Sequence, residues 1–328
     1  MKILISLFLG FFVLLGNAQE RKYVTVKKTL KLMGSRFDIT VVSVNEELGY
    51  INIEEATAEI IRIEKMISSW DAESETSLIN KNAGVKPVKV SAELFALIER
   101  AKQISELTDG AFDISFASLD KVWQFDGTMK HKPTKTEIEK SIKKVGYKKI
   151  VLNIDEHTVF LEQKGMKISL GAIGKGYAAD KAKELLVSKQ VVAGIINAAG
   201  DLTTWGTKST GEKWLIGISN PLGKGKAFSW LPVVESSVAT SDNYEKYVTF
   251  DDKRYSHIID PRTGYPTSGI NSVSIFAKSA EFCDALATAI FIMGKDAGLV
   301  LINQLGGIEA IVVDSKNEMH KSSGILFE

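Results

Sequence analysis

The chain has 328 residues, 45% apolar and 25% charged, with 41 basic against 40 acidic side chains. That is the composition of a folded globular protein; it excludes disordered, collagenous and coiled-coil architectures, and the balanced charge offers no basic stripe for nucleic acid. A single cysteine, Cys283, excludes an intramolecular disulfide.

Residues 1–18 read as an export signal. Lys2 supplies the positive start, residues 3–15 are almost unbroken apolar, and Gly16-Asn17-Ala18 places small residues at the cleavage positions. The apolar stretch is too short to cross the roughly 30 Å bilayer core comfortably as a permanent helix. The expectation is an exported, periplasmic protein, soluble or loosely membrane-associated, with residues 19–328 as one unit.

Residues 25–44 alternate enough for a strand pair, broken at Met33-Gly34-Ser35. Ile53, Ala56, Ile60, Ile63, Ile67 and Trp70 then step by three and four, the spacing of one helical face. A polar loop is expected over 71–82, then a second helix opening at Ser91 as N-cap and stopping before Asp109-Gly110. Residues 126–149 are lysine-rich and predict an exposed helix with loops. Short strands are expected over 149–154, 159–162 and 167–170, followed by a glycine-rich bend and a helix over 177–188. Further strands follow at 191–197, 214–219, 227–234, 246–250, 255–259 and 273–276. Helices at 280–293 and 296–305 and a strand at 309–313 close the chain. Strand pairs on short turns, with helices grouped between them, predict α+β rather than a doubly wound sheet.

Two segments can carry chemistry. In the helix from Ser279 to Gly294, every residue from Phe282 onward is apolar or small except Asp284 and Thr288. A helix apolar nearly all round is a buried one, and a carboxylate inside it is costly unless paired or bound to a cation. Asp284 and Thr288 are four apart and share a face, a hard-oxygen pair suited to Mg²⁺. The alternative is that Asp284 pairs with a lysine and Thr288 bonds back to its own helix. The second segment runs a strand into Gly171, Gly174, Lys175 and Gly176 and then a helix, which suits either an anion at a helix N-terminus or a tight structural turn. Its spacing is neither a Walker loop nor a dinucleotide fingerprint. Asn197-Ala198-Ala199-Gly200-Asp201 reads as a turn. His257 lies on a strand end before a rigid Asp260-Pro261 turn.

Taken together, these segments resemble the FAD:protein FMN transferase (ApbE) family. The pieces, in chain order, are MGSRF at 33–37, ISSWDAESE at 67–75 with LIN at 78–80, and TDGAFD at 108–113. LGAIGKGYAAD at 170–180, NAAGDL at 197–202, ATS at 239–241, HIIDPRTGYP at 257–266 and DALAT at 284–288 complete the set. The resemblance implies a T-fold-like α+β fold, mostly antiparallel sheets with packed helices in one compact catalytic unit. It implies an enzyme that takes FAD as a substrate and, with Mg²⁺, transfers FMN to a threonine of an acceptor flavoprotein with release of AMP. The acceptor it implies is a subunit of a membrane electron-transport complex of the Rnf or Nqr kind. Two alternatives stay open: a Mg²⁺-dependent pyrophosphatase giving FMN and AMP, and a periplasmic flavin-binding protein without catalysis.

By the same resemblance, metal ligands fall on Asp284, Thr288 and the backbone carbonyl of Ala172. FAD contacts fall on Met33, Trp70, Ala111, Phe112, Asp113, Ser169, Lys175, His257 and Ile259, and His257 is either the side chain for the attacking hydroxyl's proton or a hydrogen-bond partner of the flavin or the acceptor. Asp284 counts as catalytic through its cation. Three positions depart from the family pattern: Ser169 where Asp is common, and Ala199 and Asp242 where glycine is usual.

Overall fold

Two alternating runs and a two-residue turn open the structure. Strands β1 (Val24–Leu32) and β2 (Ser35–Ser43) pair antiparallel, with Leu32 opposite Ser35. Met33 and Gly34 between them both hold positive φ, the twist that a two-residue hairpin between right-twisted strands requires. Phe37, Ile39 and Val41 alternate into the core along β2, as a half-buried strand dictates. This computed structural model describes residues 23–219, 227–243, 247–250 and 253–326, so the expected export signal lies outside the described residues.

Helices α1 (Glu46–Ile67) and α2 (Glu75–Lys81) come next, then β3 (Val88–Lys89) and α3 (Ala92–Leu107). Helix α4 (Lys135–Ser141) and strands β4 (Ile150–Asn153) and β5 (Thr158–Leu161) lead to α5 (Gly174–Ser188). Strands β6 (Ala193–Ala198), β7 (Asp201–Trp205), β8 (Trp214–Ser219), β9 (Ala227–Val233) and β10 (Ser237–Asp242) follow. The last third holds β11 (Tyr247–Phe250), β12 (Lys253–Ser256), β13 (Ile270–Ala277), α6 (Ala280–Met293), α7 (Lys295–Gln304), β14 (Glu309–Asp314) and β15 (Met319–Lys321).

Eight strands form one sheet in the order β1-β2-β6-β7-β10-β13-β14-β15, antiparallel at every pairing. Helices α1, α5 and α6 pack side by side on it: α1 against β1 and β2, α5 against β6 and β7, α6 against β10 and β13. The core lies between these two layers, and the architecture is the α+β fold of antiparallel sheets and packed helices that the sequence predicts. Helix α1 buries Ile53, Ala56, Ile60 and Ile63 completely. Each such isoleucine contributes about 1.5–3 kcal/mol on leaving water. Among the described residues, no helix is long and apolar enough to cross a membrane.

Several local expectations are corrected. Trp70 is not part of the α1 face: the helix ends at Ile67 with Ser68 as C-cap, and Trp70 is 90% exposed. The polar stretch 71–82 is not all loop, because Ser74 caps α2 by accepting from the Ser77 amide. Residues 167–170 form no strand. Their backbone groups are taken by side chains instead: Asn80 donates to the Ile168 carbonyl (3.0 Å) and accepts from its amide (2.7 Å), while Ser118 Oγ does both for Lys167. Strands β7 and β10 were not expected, and β15 follows the strand expected to be last.

The tightest feature of the helical layer is where α5 meets α6. A Cβ on Gly176 would lie 2.1 Å from the Ala280 carbonyl oxygen, so the two helices approach at backbone contact. Asp180, one turn further along α5, accepts from Ser279 Oγ and from the Ala280 and Glu281 amides, capping α6 from a neighbouring helix. Gly176→Ala is therefore expected to destabilise the fold by about 1–3 kcal/mol through overpacking. Chemical denaturation checks this; an unchanged midpoint would show that the two helices separate freely.

Candidate active site

The glycine bend is built by local hydrogen bonds. The amides of Ile173 and Gly174 both donate to the Leu170 carbonyl, at 3.2 and 2.7 Å, turning the chain from residue 170 into α5. Upstream, the Ser169 amide donates to the Ile114 carbonyl (2.9 Å), which ties the bend to the segment after Asp113. Gly174 packs against α1: a Cβ there would meet Ile67 Cδ1 at 2.6 Å and require that side chain to shift. The bend is thus pinned between α1, the Ile114 segment and α6.

A cavity of about 670 Å³ opens beside it. Ser169, Gly171 and Ala172 of the bend form one wall, Ala111, Phe112 and Asp113 a second, and His257, Ile258 and Ile259 a third. Thr288 and Ile292 of α6 reach it, and Trp70 stands at its edge. The remaining wall is aromatic. Phe116, Trp123 and Phe125 come from residues 116–125, held in place because the Trp123 indole N–H donates to the Gly264 carbonyl (3.0 Å) and its ring stacks on Tyr255 at 5.4 Å. Asp260 keeps the third wall rigid: its carbonyl accepts from the Thr263 and Gly264 amides and its carboxylate grips Arg262 at 2.9 and 2.8 Å.

Of the residues singled out in the sequence, Trp70, Ala111, Phe112, Asp113, Ser169, Ala172, His257, Ile259 and Thr288 share this cavity. Met33, Lys175 and Asp284 are not in its lining. Met33 adjoins the start of α5, close to the bend, and its amide donates to Glu64 Oε2 (3.0 Å). Asp113 is buried, with one oxygen accepting from the Ser115 amide (2.7 Å) and the other from the Tyr147 amide (2.8 Å). Burial pushes its carboxyl above the usual range, against those hydrogen bonds.

Asp284 sits on α6 one turn before Thr288 and is only 5% exposed. Its Oδ2 accepts from the Gly176 amide (3.2 Å) in the first turn of α5, and its Oδ1 lies 3.7 Å from Lys175 Nζ. Burial raises its proton affinity; the Lys175 ammonium and the Gly176 amide oppose that rise. Lys175 is in closer contact with a second buried carboxylate, Asp201 at the start of β7. Two carboxylates therefore share one ammonium, and when both are ionised one negative charge is left without a partner in the described contacts. Thr288 Oγ1 lies 3.4 Å from Ser241 Oγ on β10, not bonded back to its own helix in the described contacts. Of the two alternatives for Asp284, the lysine neighbour is present, but Lys175 is shared with Asp201. A carboxylate, a hydroxyl and a surplus negative charge fit a hard divalent cation.

Asp201, Asn80 and Ser241 are site components that residue-level reading did not select. In the sequence Asp201 reads as the end of a turn and Asn80 as part of a polar loop, and only the fold sets them against Lys175 and Ile168. Among the described residues, the close group of Asp314, Glu318 and His320 lies elsewhere. Its Asp314 already accepts from the Lys316 and Glu318 amides and pairs with His320.

The sequence model of the ApbE family matches residues 33–312. An FAD:protein FMN transferase of Klebsiella pneumoniae (strain 342) is 33% identical, over 89% of this chain and 90% of that protein. One from Treponema pallidum (strain Nichols) is 29% identical over 99% and 93%. The crystal structure of the ApbE protein of Thermotoga maritima superposes with a TM-score of 0.82 at 32% identity, over 92% of this chain and 97% of that one. Apo flavinyl transferase ApbE of Pseudomonas stutzeri gives 0.81 at 24% identity, a likeness of fold.

The burial of Asp284 yields a stability prediction. A carboxyl whose proton affinity is raised by folding adds stability at low pH and loses it as pH rises through the folded pKa. Asp284→Asn removes that loss. In chelator at pH 7 the variant is expected to melt no lower than the native sequence, and the difference should close as the pH falls towards the ordinary carboxylate range. Thermal melts across pH test this, and a clear drop at pH 7 would mean that the Lys175 contact outweighs desolvation.

Proposed function

The chain belongs to the ApbE family, and on that premise we propose that it transfers FMN from FAD to a threonine of an acceptor protein, with AMP as the leaving group. The observation that carries this reading is the buried, under-neutralised Asp284 beside a glycine bend that borders a cavity of about 670 Å³. A hydroxyl oxygen of the acceptor forms a bond to the FMN phosphorus, the bridging P–O bond to AMP breaks, and the hydroxyl proton leaves to a base. His257, in the third wall of the cavity, takes that proton.

Asp284, Thr288 and the Ala172 carbonyl would hold Mg²⁺, which when bound supplies positive charge against the pyrophosphate oxygens. The protein's own part is positioning. Gly171 gives the bend a wall without a side chain, so a diphosphate can approach closely, and the Lys175 ammonium follows four residues on, 3.7 Å from Asp284 Oδ1. Trp70, 90% exposed at the cavity edge, is free to lie against a flat ring, while Phe112 and the aromatic wall present apolar surface. Ser169 occupies the place where a carboxylate is common, and its hydroxyl lies 3.4 Å from the Gly171 amide.

The leader-like residues 1–18 support export, so the acceptor is a flavoprotein exposed on the outer face of the cytoplasmic membrane, of the Rnf or Nqr electron-transport kind. Intact-mass analysis of protein recovered from the export compartment should show a chain beginning at Gln19; a mass that retains residues 1–18 refutes cleavage.

The decisive test mixes protein, FAD, Mg²⁺ and a threonine-bearing acceptor, then follows covalent flavin fluorescence on a denaturing gel alongside AMP release. Asp284→Ala is expected to lower both at least 100-fold, the scale of removing a major electrostatic stabiliser (roughly 10²–10³). His257→Ala should reduce turnover more than FAD affinity, because proton removal belongs to the transition state. AMP release without acceptor labelling would make the protein a pyrophosphatase instead. Normal activity in Asp284→Ala would refute the cation assignment.

A further inference from the structure

The contact between Lys175 and Asp201 has a consequence for the cation reading of Asp284, on which this inference rests. Lys175 is the second residue of α5 and Asp201 the first of β7, so the pair links the helical layer to the centre of the sheet. Asp201 is 4% exposed. Its position is fixed by a tight turn after β6, in which the Gly200 amide donates to Asn197 Oδ1 (2.9 Å) and Ala199 holds φ +56°. That φ is one a non-glycine residue rarely adopts. The turn leaves Asp201 paired in register with Ala198 and delivers its carboxylate to Lys175.

Without Asp201, the Lys175 ammonium would have Asp284 as its one buried carboxylate partner among the described contacts. An ammonium fully paired with Asp284 would neutralise it and occupy the space a cation needs. In the native arrangement Lys175 lies against Asp201 and stands off Asp284 Oδ1 at 3.7 Å. We infer that Asp201 is a positioning residue: it draws Lys175 off Asp284 and leaves that carboxylate open to a divalent cation.

The inference predicts a charge series that a merely structural Asp201 would not produce. Asp201→Asn removes one negative charge and releases Lys175 onto Asp284, so cation affinity falls. Lys175→Met removes the competitor, so affinity rises. The double variant restores the native sum of charges, so affinity returns. The probe is Mn²⁺, titrated by electron paramagnetic resonance into the full protein without and with FAD, with circular dichroism to verify folding. Each single charge change should move the dissociation constant by about tenfold or more, the lower bound being the effect of a unit charge a few ångströms from a dication in bulk water. The double variant should fall within about threefold of native, since the two changes nearly cancel. Asp284→Asn is the control and should abolish binding at this site. If the native protein binds no Mn²⁺ in either form, the cation reading itself fails and this inference with it. If native protein binds but Asp201→Asn binds equally well, or if Lys175→Met does not restore the double variant, the inference alone is overturned.

Discussion

The contact that the rest of the site depends on is the approach of α5 to α6 at Gly176. Without a Cβ there, the Ala280 backbone comes against α5, and Asp180 closes the junction by capping α6 with three hydrogen bonds. The junction is rigid because both of its parts are short-range and directional: a steric fit with no slack, and a carboxylate aimed at orphan amides. It also fixes a distance that matters chemically. With Gly176 against Ala280, the Gly176 amide reaches Asp284 one turn further along α6.

Around that junction the protein concentrates charge where its surroundings are least able to solvate it. Asp284, Asp201 and Lys175 come from three elements, and none of the three is a favourable burial alone. Together they form a set with one negative charge to spare, an arrangement costly in an isolated fold and suited to one that binds a cation. Among the described residues the sheet takes part through its central strands: β7 presents Asp201 and β10 presents Ser241 beside Thr288. The cavity walls are made instead from connecting segments, which can vary in sequence without disturbing the strand register beneath them.

The same economy explains the segment 167–170. Its alternation is that of a strand, yet no neighbouring strand pairs with it. Asn80 and Ser118 satisfy its backbone in place of a ladder, and this leaves the following bend free to face the cavity. Trp70 illustrates the converse. Its spacing continues the apolar face of α1, but Ser68 ends the helix and directs the chain outward, so a large ring stands exposed at the cavity edge.

Much of the molecule was legible from the residues. The period-3.6 pattern of α1, the Ser91 cap of α3, and the apolar α6 with one carboxylate inside it are all local, since propensity, capping and burial act within a few residues. The motif order was sufficient to indicate the family, because each motif is a short stretch with its own chemistry. What the residues could not show was which distant groups meet. Asp201 reads as the end of a turn and Asn80 as part of a polar loop; only the packing of α5 on the sheet sets the first against Lys175, and only the path of residues 167–170 sets the second against Ile168. Local structure follows from interactions that decay within a turn of chain, whereas the sharing of one ammonium between two carboxylates is decided by contacts 26 and 109 residues apart, which tertiary packing alone brings together.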